Sequence, residues 1–369
     1  MQRLQMGVRT MLDLFSGIGG MTLALRGVAE PVAFCEVDPF AKAVIELNQR
    51  RGCLPRVPVY DDIRALHDAP RVTVVAAGFP CNGFSSAGDR KGFAHPHTGL
   101  FFRMLHVIDA ARPRLIFLEN VPGIVRMGLE TVRRELARRR YHMRWCLLSA
   151  SDIGAPHRRK RWFCVAFKSA ADLPRQDEFE SSAYMWSTRT EPTRVTERPP
   201  PWHAHRLRVL GNALVPDAAR AAFKHLSAAS AVDDDGRVQG PEPSPKYLDL
   251  VFDPQLFRHN RKPSPQLSAP VRTSAVTKRL WATPTTTTSA NNNMTIRSDH
   301  VLPTQVRFER RTPDHVRGGT VSPRFVEWLM GFPLGWTGVP ACTRRAGCQS
   351  YSVSHVPTRG NDRPAAAVA

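Results

Sequence analysis

The sequence predicts an α/β protein: a parallel sheet with crossover helices, followed by a smaller and irregular region. Three observations carry this reading. Short apolar runs alternate with helix-like stretches over the first 168 residues, the pattern of strands joined by helices. A glycine turn, Phe15-Ser16-Gly17-Ile18-Gly19-Gly20, follows the first run where a strand hands over to a helix. After a boundary at 228–246, marked by Asp233-Asp234-Asp235 and several Gly and Pro, residues 247–320 are polar, basic and poor in apolar period.

Taken in order, the apolar runs place strands at 11–15, 32–36, 72–77, 115–119, 144–148 and 162–167. Leu100, Met104, Leu105 and Ile108 recur at helical spacing, as do Leu129, Val132 and Leu136. Arg133, Arg134, Arg138, Arg139 and Arg140 surround the second set, and a solvated helix face accounts for them better than phosphate contact. Residues 169–202 lose the period and end in Pro199, Pro200 and Pro201, which reads as a linker. Pro216 and Asp217 open a helix over 216–226 carrying Ala218, Ala222, Phe223 and Leu226. Ser322 and Pro323 supply a cap and first turn for another, lined by Phe325, Val326, Leu329 and Met330 and ended by Gly331. The resulting division is a first unit over 1–168, a linker or loop over 169–205, and a closing helix over 206–226. It continues with a polar region over 227–320, the capped segment over 321–340, and a tail over 341–369 that reads as disordered.

The formal net charge is +20 over 369 residues, which favours a polyanionic partner. Only eight of the 52 basic residues are lysine, so arginine-rich codon usage is a competing explanation of the charge. No run of eighteen apolar residues is present and the start lacks a secretory signal, so a soluble cytoplasmic protein is expected. Seven scattered cysteines argue for a reducing compartment rather than a disulfide framework. Cys342, Cys348 and His355 match no standard zinc spacing.

The chemistry concentrates in two places. Cys81 follows Pro80 just beyond one apolar run, and Glu119 ends another. In α/β sheets ligands sit outside the carboxyl ends of strands, so this thiol and carboxylate can face one another across a pocket. The pair suits attack on an electron-poor ring, the thiolate adding while the acid stabilises charge on a ring nitrogen. Cys35, Cys53, Cys146 and Cys164 read instead as small buried thiols. At the glycine turn, Thr22 stands where a dinucleotide loop needs its third glycine, which disfavours such a cofactor. Glu36 ends the second strand, where a carboxylate can accept from ribose hydroxyls. An adenosine-containing cofactor fits this combination. A deaminase reading fails because no second cysteine follows Cys81 three residues on.

These motifs resemble the C5-cytosine DNA methyltransferases. The resemblance rests on residues 11–20, on Phe34-Cys35-Glu36-Val37-Asp38, on Asp61-Asp62-Ile63 and on Gly78-Phe79-Pro80-Cys81. It extends through Glu119-Asn120-Val121, His157 to Arg161, and Gly211-Asn212-Ala213 with Val215-Pro216. It covers roughly residues 9–168, 206–226 and 321–337. It implies a Rossmann-like sheet that binds S-adenosylmethionine, with a smaller irregular target-recognition domain. Phe15, Gly17, Gly19, Glu36, Asp62, Ile63, Leu100 and Asn212 would line the cofactor. Cys81 would be the nucleophile toward C6 of a flipped cytosine in double-stranded DNA. Glu119 would hold N3 and the exocyclic amine, Arg161 the pyrimidine O2, and Arg159 would stabilise nearby, with Ser85 and residues 82–98 closing over the base. The resemblance further implies monomeric action, alone or beside a cognate restriction endonuclease.

Two departures stand out. His157 occupies a position where glutamine is more usual. Gly211-Asn212 precedes, rather than follows, the region expected to read DNA, so the catalytic pocket is expected to be complete by about residue 226. A tRNA methyltransferase of the same superfamily is the second reading, disfavoured by the separate basic region and the missing Cys-Phe-Thr signature. A catalytically silent DNA-binding protein is the third, disfavoured by an intact Cys81, Glu119, Arg159 and Arg161.

Overall fold

Seven strands assemble into one sheet in the order β3-β2-β1-β4-β5-β7-β6. The strands are β1 (Arg9–Leu14), β2 (Ala29–Cys35), β3 (Val59–Tyr60), β4 (Val74–Ala77), β5 (Leu115–Asn120), β6 (His142–Ser149) and β7 (Lys160–Phe167). Helices α1 (Gly20–Leu25), α2 (Pro39–Arg50), α3 (Leu100–Ala111), α4 (Ile124–Met127) and α5 (Leu129–Arg138) fall between them. After the sheet come β8 (Val195–Thr196), α6 (His203–Asn212), α7 (Pro216–Ala228), β9 (Thr283–Pro284), β10 (Ile296–Arg297), β11 (Thr320–Val321) and α8 (Pro323–Leu329). This computed structural model describes residues 8–85, 91–179, 191–193, 195–196, 199–228, 236–238, 283–284, 296–297 and 320–340. The expected tail, the Cys342, Cys348 and His355 group and most of 227–320 lie outside the described residues.

The first five strands pair in parallel, as the sequence predicts. β7 does not: it runs antiparallel to both β5 and β6. The reason is the connection. Between β6 and β7 the chain has only a capped 3-10 turn, Ala150–Ile153, and a short loop, with no helix. A parallel return needs a crossover of a dozen or more residues. β3 is two residues long and carries no apolar run, so periodicity does not reveal it.

Alternate residues of each central strand feed opposite faces, which is the two-residue period of a pleated strand. Met11, Phe34, Val74, Ala76, Leu115, Phe117, Phe163 and Val165 meet α1, α2, α6, α7 and α8 on one face. Leu12, Leu14, Val75, Ala77, Ile116, Leu118, Cys164 and Ala166 meet α3 and α5 on the other. Both faces are covered, so β4 is buried along its whole length. The result is a three-layer, Rossmann-like α/β fold. The arginines around α5 pair with nearby acids: Arg133 with Glu130 at 2.8 Å and Arg138 with Glu135 at 2.7 Å on α5 itself, and Arg139 with Asp109 of α3 at 2.8 Å. They form a solvated, ion-paired face. Cys35, Cys146 and Cys164 are buried, whereas Cys53 is exposed, contrary to the sequence expectation. Among the described residues no helix is long and apolar enough to cross a membrane.

The core does not close at residue 226. Phe325, Val326, Trp328, Leu329, Met330, Phe332 and Trp336 lie in the same apolar cluster as α1 and α7. Glu327 of α8 is completely buried. Its Oε1 accepts from Arg206 Nη2 of α6 at 3.1 Å and from the Thr337 backbone N–H at 2.8 Å, and its Oε2 from Gly335 N–H at 2.6 Å. β8 and β11 pair next to this junction.

One strand residue breaks the apolar rule. Asp13 of β1 is fully buried; its Oδ2 accepts from Thr22 Oγ1 at 2.7 Å, while Oδ1 has no partner. Burial pushes its carboxyl up to about 7, against the opposing hydrogen bonds from Thr22 and Ser16. The folded chain therefore keeps this proton up to about 7, whereas an unfolded aspartate releases it near ~4. The stability that the protonated form provides is complete below the unfolded value and is lost as pH rises through about 7. Asp13→Asn keeps the shape without the charge. Thermal melts should show the wild type losing stability relative to this variant by up to about 4 kcal/mol between about pH 4 and pH 8. Parallel pH profiles would refute this account of Asp13.

Candidate active site

The candidate residues that follow or begin strands come to one edge of the sheet, for a topological reason. From β1 the chain proceeds outward to β2 and β3, and then restarts at β4 on the other side and proceeds to β5. That reversal opens a crevice outside the carboxyl ends of β1 and β4. The carboxyl ends of β1, β2 and β3 deliver residues 15–20, 36–38 and 61–63, and those of β4 and β5 deliver 78–85 and 119–121. β7 runs the other way, so its start, with Arg159 and Arg161, reaches the same edge.

On the first half, Phe15, Gly17 and Gly19 all take left-handed backbone angles, with φ of 52°, 53° and 85°. Gly17 has open space where a Cβ would stand, whereas a Cβ on Gly19 would come within 3.1 Å of Leu54 Cδ1. The loop therefore has an open side at Gly17 and a packed side at Gly19. Glu36 ties it to β2: its Oε2 accepts from Gly17 N–H and its Oε1 from Asp38 N–H, both at 2.7 Å. Burial raises the Glu36 carboxyl, opposed by these two backbone bonds. Val37, next in sequence, is 66% exposed, a large apolar surface beside an acidic turn that the sequence reading did not single out.

Asp62 differs from expectation in one respect. Its carboxylate is engaged by Arg64, with Nε at 2.9 Å from Oδ2 and the backbone N–H at 2.8 Å from Oδ1, and this bonding holds its carboxyl below the usual range. Ile63 is buried, and Arg103 of α3 donates to its carbonyl at 3.2 Å. Leu100 begins α3 and packs against the second core cluster. Asn212 is the exposed last residue of α6.

On the second half, the Glu119 carboxylate accepts from Arg161 Nε at 3.0 Å. A Cβ on Gly78 would stand 3.3 Å from Glu119 Oε2, so glycine leaves this carboxylate its room. Burial raises the Glu119 carboxyl, opposed by the charges of Arg161 and Arg159 and by the Arg161 hydrogen bond. Burial and the Glu119 charge also raise the half-buried Cys81 thiol, again opposed by Arg161 and Arg159. The two arginines thus act on both groups, but neither leaves Cys81 a ready thiolate.

Several buried residues set this geometry. Asn120 Nδ2 donates to the Phe79 carbonyl at 3.0 Å, fixing the approach to Cys81. Thr98 Oγ1 accepts from Gly83 N–H at 2.9 Å, and Gly92 N–H donates to the Gly83 carbonyl at 3.0 Å. A Cβ on Gly83 would fall 2.0 Å from the Gly92 carbonyl oxygen. These bonds pin both ends of the segment expected to close over a base; residues 86–90 within it lie outside the described residues. Arg159 Nη2 donates to the carbonyls of Gly211 and Ala213 at 3.1 and 2.7 Å, joining the arginine motif to α6. His157 is buried and pushed down to about 3 by burial, so it is neutral. Its Nδ1 accepts from the Arg159 backbone N–H at 3.3 Å, which leaves Nε2 to donate to the Leu329 carbonyl of α8 at 2.9 Å. The departure at His157 is thereby explained: the ring bridges the arginine motif and the C-terminal helix. The sequence shows Asn120 only as part of a motif and gives Thr98 and Arg103 no role, because their bonds are to backbone groups 15–41 residues away.

The C-5 cytosine-specific DNA methylase family model matches residues 9–353. The type II methyltransferase M.CviJI of Paramecium bursaria Chlorella virus IL3A is 29% identical over 90% of this chain and 98% of its own length. M.MspI of Moraxella sp. is 35% identical over 42% of this chain, a match that spans 38% of that protein. M.HhaI of Haemophilus parahaemolyticus is 33% identical over 44% of this chain and 50% of its own length. Among solved structures, the S. pombe Dnmt2 methyltransferase is 25% identical over 50% of this chain and 62% of its own, with a TM-score of 0.38. The family match spans the glycine loop, the Cys81 and Glu119 strand ends, the arginine motif and α8 alike, and the chain belongs to the C-5 cytosine-specific DNA methylase family.

Proposed function

We propose that this protein methylates C5 of cytosine within a specific short sequence of double-stranded DNA, using S-adenosylmethionine and a base flipped out of the helix. One observation carries the reading. Cys81 and an arginine-paired Glu119 meet at neighbouring strand ends, with both arginines of the motif acting on them. Family membership supports the substrate class.

The first half of the edge fits the cofactor. Gly17 leaves open space on its ligand side, and each Glu36 oxygen, with one backbone bond made, keeps capacity to accept a ribose hydroxyl. Phe15, Gly17, Gly19, Glu36, Asp62, Ile63, Leu100 and Asn212 would hold it, with Asp62 contributing backbone rather than its Arg64-bound carboxylate. S-adenosylmethionine, when bound, supplies an electrophilic methyl group.

The remaining steps belong to the chain's own residues. As a thiolate, Cys81 Sγ forms a bond to C6 of the cytosine, and the C5–C6 π electrons shift toward C5 and N3. Glu119, whose carboxyl burial raises, hydrogen-bonds N3 and neutralises charge there. Arg161 holds the pyrimidine O2, and Arg159, anchored on α6, adds positive charge nearby. With C5 methylated, water or hydroxide takes the C5 proton, the Sγ–C6 bond breaks and the ring double bond re-forms. Flipping the base costs a few kcal/mol, which phosphate contacts from a chain of net charge +20 would offset. Residues 227–320 would read the target, with 1–168, 206–226 and 321–340 forming the catalytic unit. The protein would act as a monomer in the cytoplasm, alone or beside a cognate endonuclease.

Base-resolution 5-methylcytosine sequencing of DNA from a methylation-free host tests this reading. Methylation at one short motif, lost in Cys81→Ala, is the expected result. Unmethylated DNA from a host making soluble, S-adenosylmethionine-binding protein would overturn the DNA assignment. A second experiment reads the electrostatics directly. Glu119→Gln removes the negative neighbour that helps push the Cys81 thiol up, so the thiolate forms at lower pH. The midpoint of Cys81 alkylation by iodoacetamide should move down in the variant; an unchanged or higher midpoint contradicts the coupling.

A further inference from the structure

The turn after α8 meets the glycine loop from its packed side. Trp336 is 2% exposed, and its indole Nε1 donates to the Ile18 carbonyl at 2.8 Å. Ile18 lies between Gly17 and Gly19, the two left-handed glycines of the loop. Fixing that carbonyl fixes the peptide plane between Ile18 and Gly19, and with it the direction in which the Gly17 side faces the crevice. The Trp336 ring and Leu54 back Gly19, while Leu214 and Phe332 back Gly20. Trp336 is itself held on both sides. Asn48 Nδ2 donates to its carbonyl at 3.0 Å, and the buried Glu327 accepts from the backbone N–H groups of Gly335 and Thr337 that flank it.

We propose that Trp336 is a positioning residue for the cofactor loop, acting through the Ile18 carbonyl, and that the cofactor site is complete only when the chain beyond residue 320 has docked. The inference rests on the glycine loop being the cofactor site. Without the indole N–H, a buried carbonyl loses its partner and the loop is free to rotate its central peptide. The bound loop conformation then has to be selected from several, which weakens cofactor affinity without altering the groups that act on cytosine.

The test uses the full chain and Trp336→Phe, which keeps an aromatic ring and removes the donor. Binding of S-adenosylhomocysteine is measured by calorimetry, beside KM for S-adenosylmethionine, kcat and thermal melting. The expected result is a Kd and a cofactor KM raised about tenfold, with kcat at saturating cofactor within about twofold of wild type. A purely structural role would lower kcat and melting temperature together and leave KM in place, and that result overturns the proposal, as does an unchanged Kd. If the variant does not fold, amide exchange in the wild type decides. Exchange over residues 332–339 should slow when S-adenosylhomocysteine is added, and unchanged exchange overturns the proposal. A wild-type protein that does not bind S-adenosylhomocysteine at all would instead remove the cofactor reading itself.

Discussion

The Glu327 carboxylate holds together parts of the chain that are far apart in sequence. It has no solvent exposure, yet it accepts from Arg206 of α6, from Thr337 and from Gly335. A buried charge of this kind is tolerable only because its acceptor positions are filled and an opposite charge is in contact. Its position makes it consequential. α6 carries Gly211 and Asn212 and receives Arg159, and the turn carries Trp336, which donates to the glycine loop. α8 itself accepts from His157. One carboxylate thus fixes the mutual placement of the arginine motif, the Gly-Asn helix and the glycine loop.

The same reasoning separates the two kinds of charge in the molecule. The arginines of α5 reach their acids from an exposed helix face, each pair worth no more than about 1 kcal/mol. Such pairs keep a surface soluble and specify nothing. Arg159 and Arg206 are buried, so each must be matched by carbonyls or a carboxylate, and each therefore fixes a geometry. Arg161 stands between these cases: it is partly exposed at the crevice and bonded to Glu119. An arginine that holds a carboxylate by one nitrogen keeps further donors for another oxygen.

Much of this was legible in the sequence, and the limits have physical causes. Six strands could be read because buried strands must be apolar, and the glycine loop because left-handed backbone needs glycine at Gly17 and Gly19. The placement of Cys81 and Glu119 near adjacent strand ends was legible because an apolar run leads up to each. The direction of β7 was misread, since periodicity reports burial and not orientation. The role of His157 was invisible because its partner, the Leu329 carbonyl, is 172 residues away and is a backbone group that every residue possesses. The burial of Asp13 was invisible for the same kind of reason: one aspartate in an apolar run reads as a strand end, not as a carboxyl with an orphaned oxygen.

The displaced order of the motifs then has a structural resolution. A chain whose Gly-Asn helix comes early could have closed its core at α7 and left the remainder as an appendage. Instead the core is shared: Leu207 and Leu210 of α6, Phe223 of α7, and Phe325, Leu329 and Trp336 from beyond residue 320 occupy one cluster with Met21 and Ile18. Moving a segment along the chain changes which loops join the elements, and loop closure depends only weakly on loop length. The contacts between elements dominate the energy. What a rearranged order must preserve is therefore the set of side chains that meet at the core, and here that set includes, from the C-terminal side, an indole that donates to the glycine loop and a carboxylate that bonds α6.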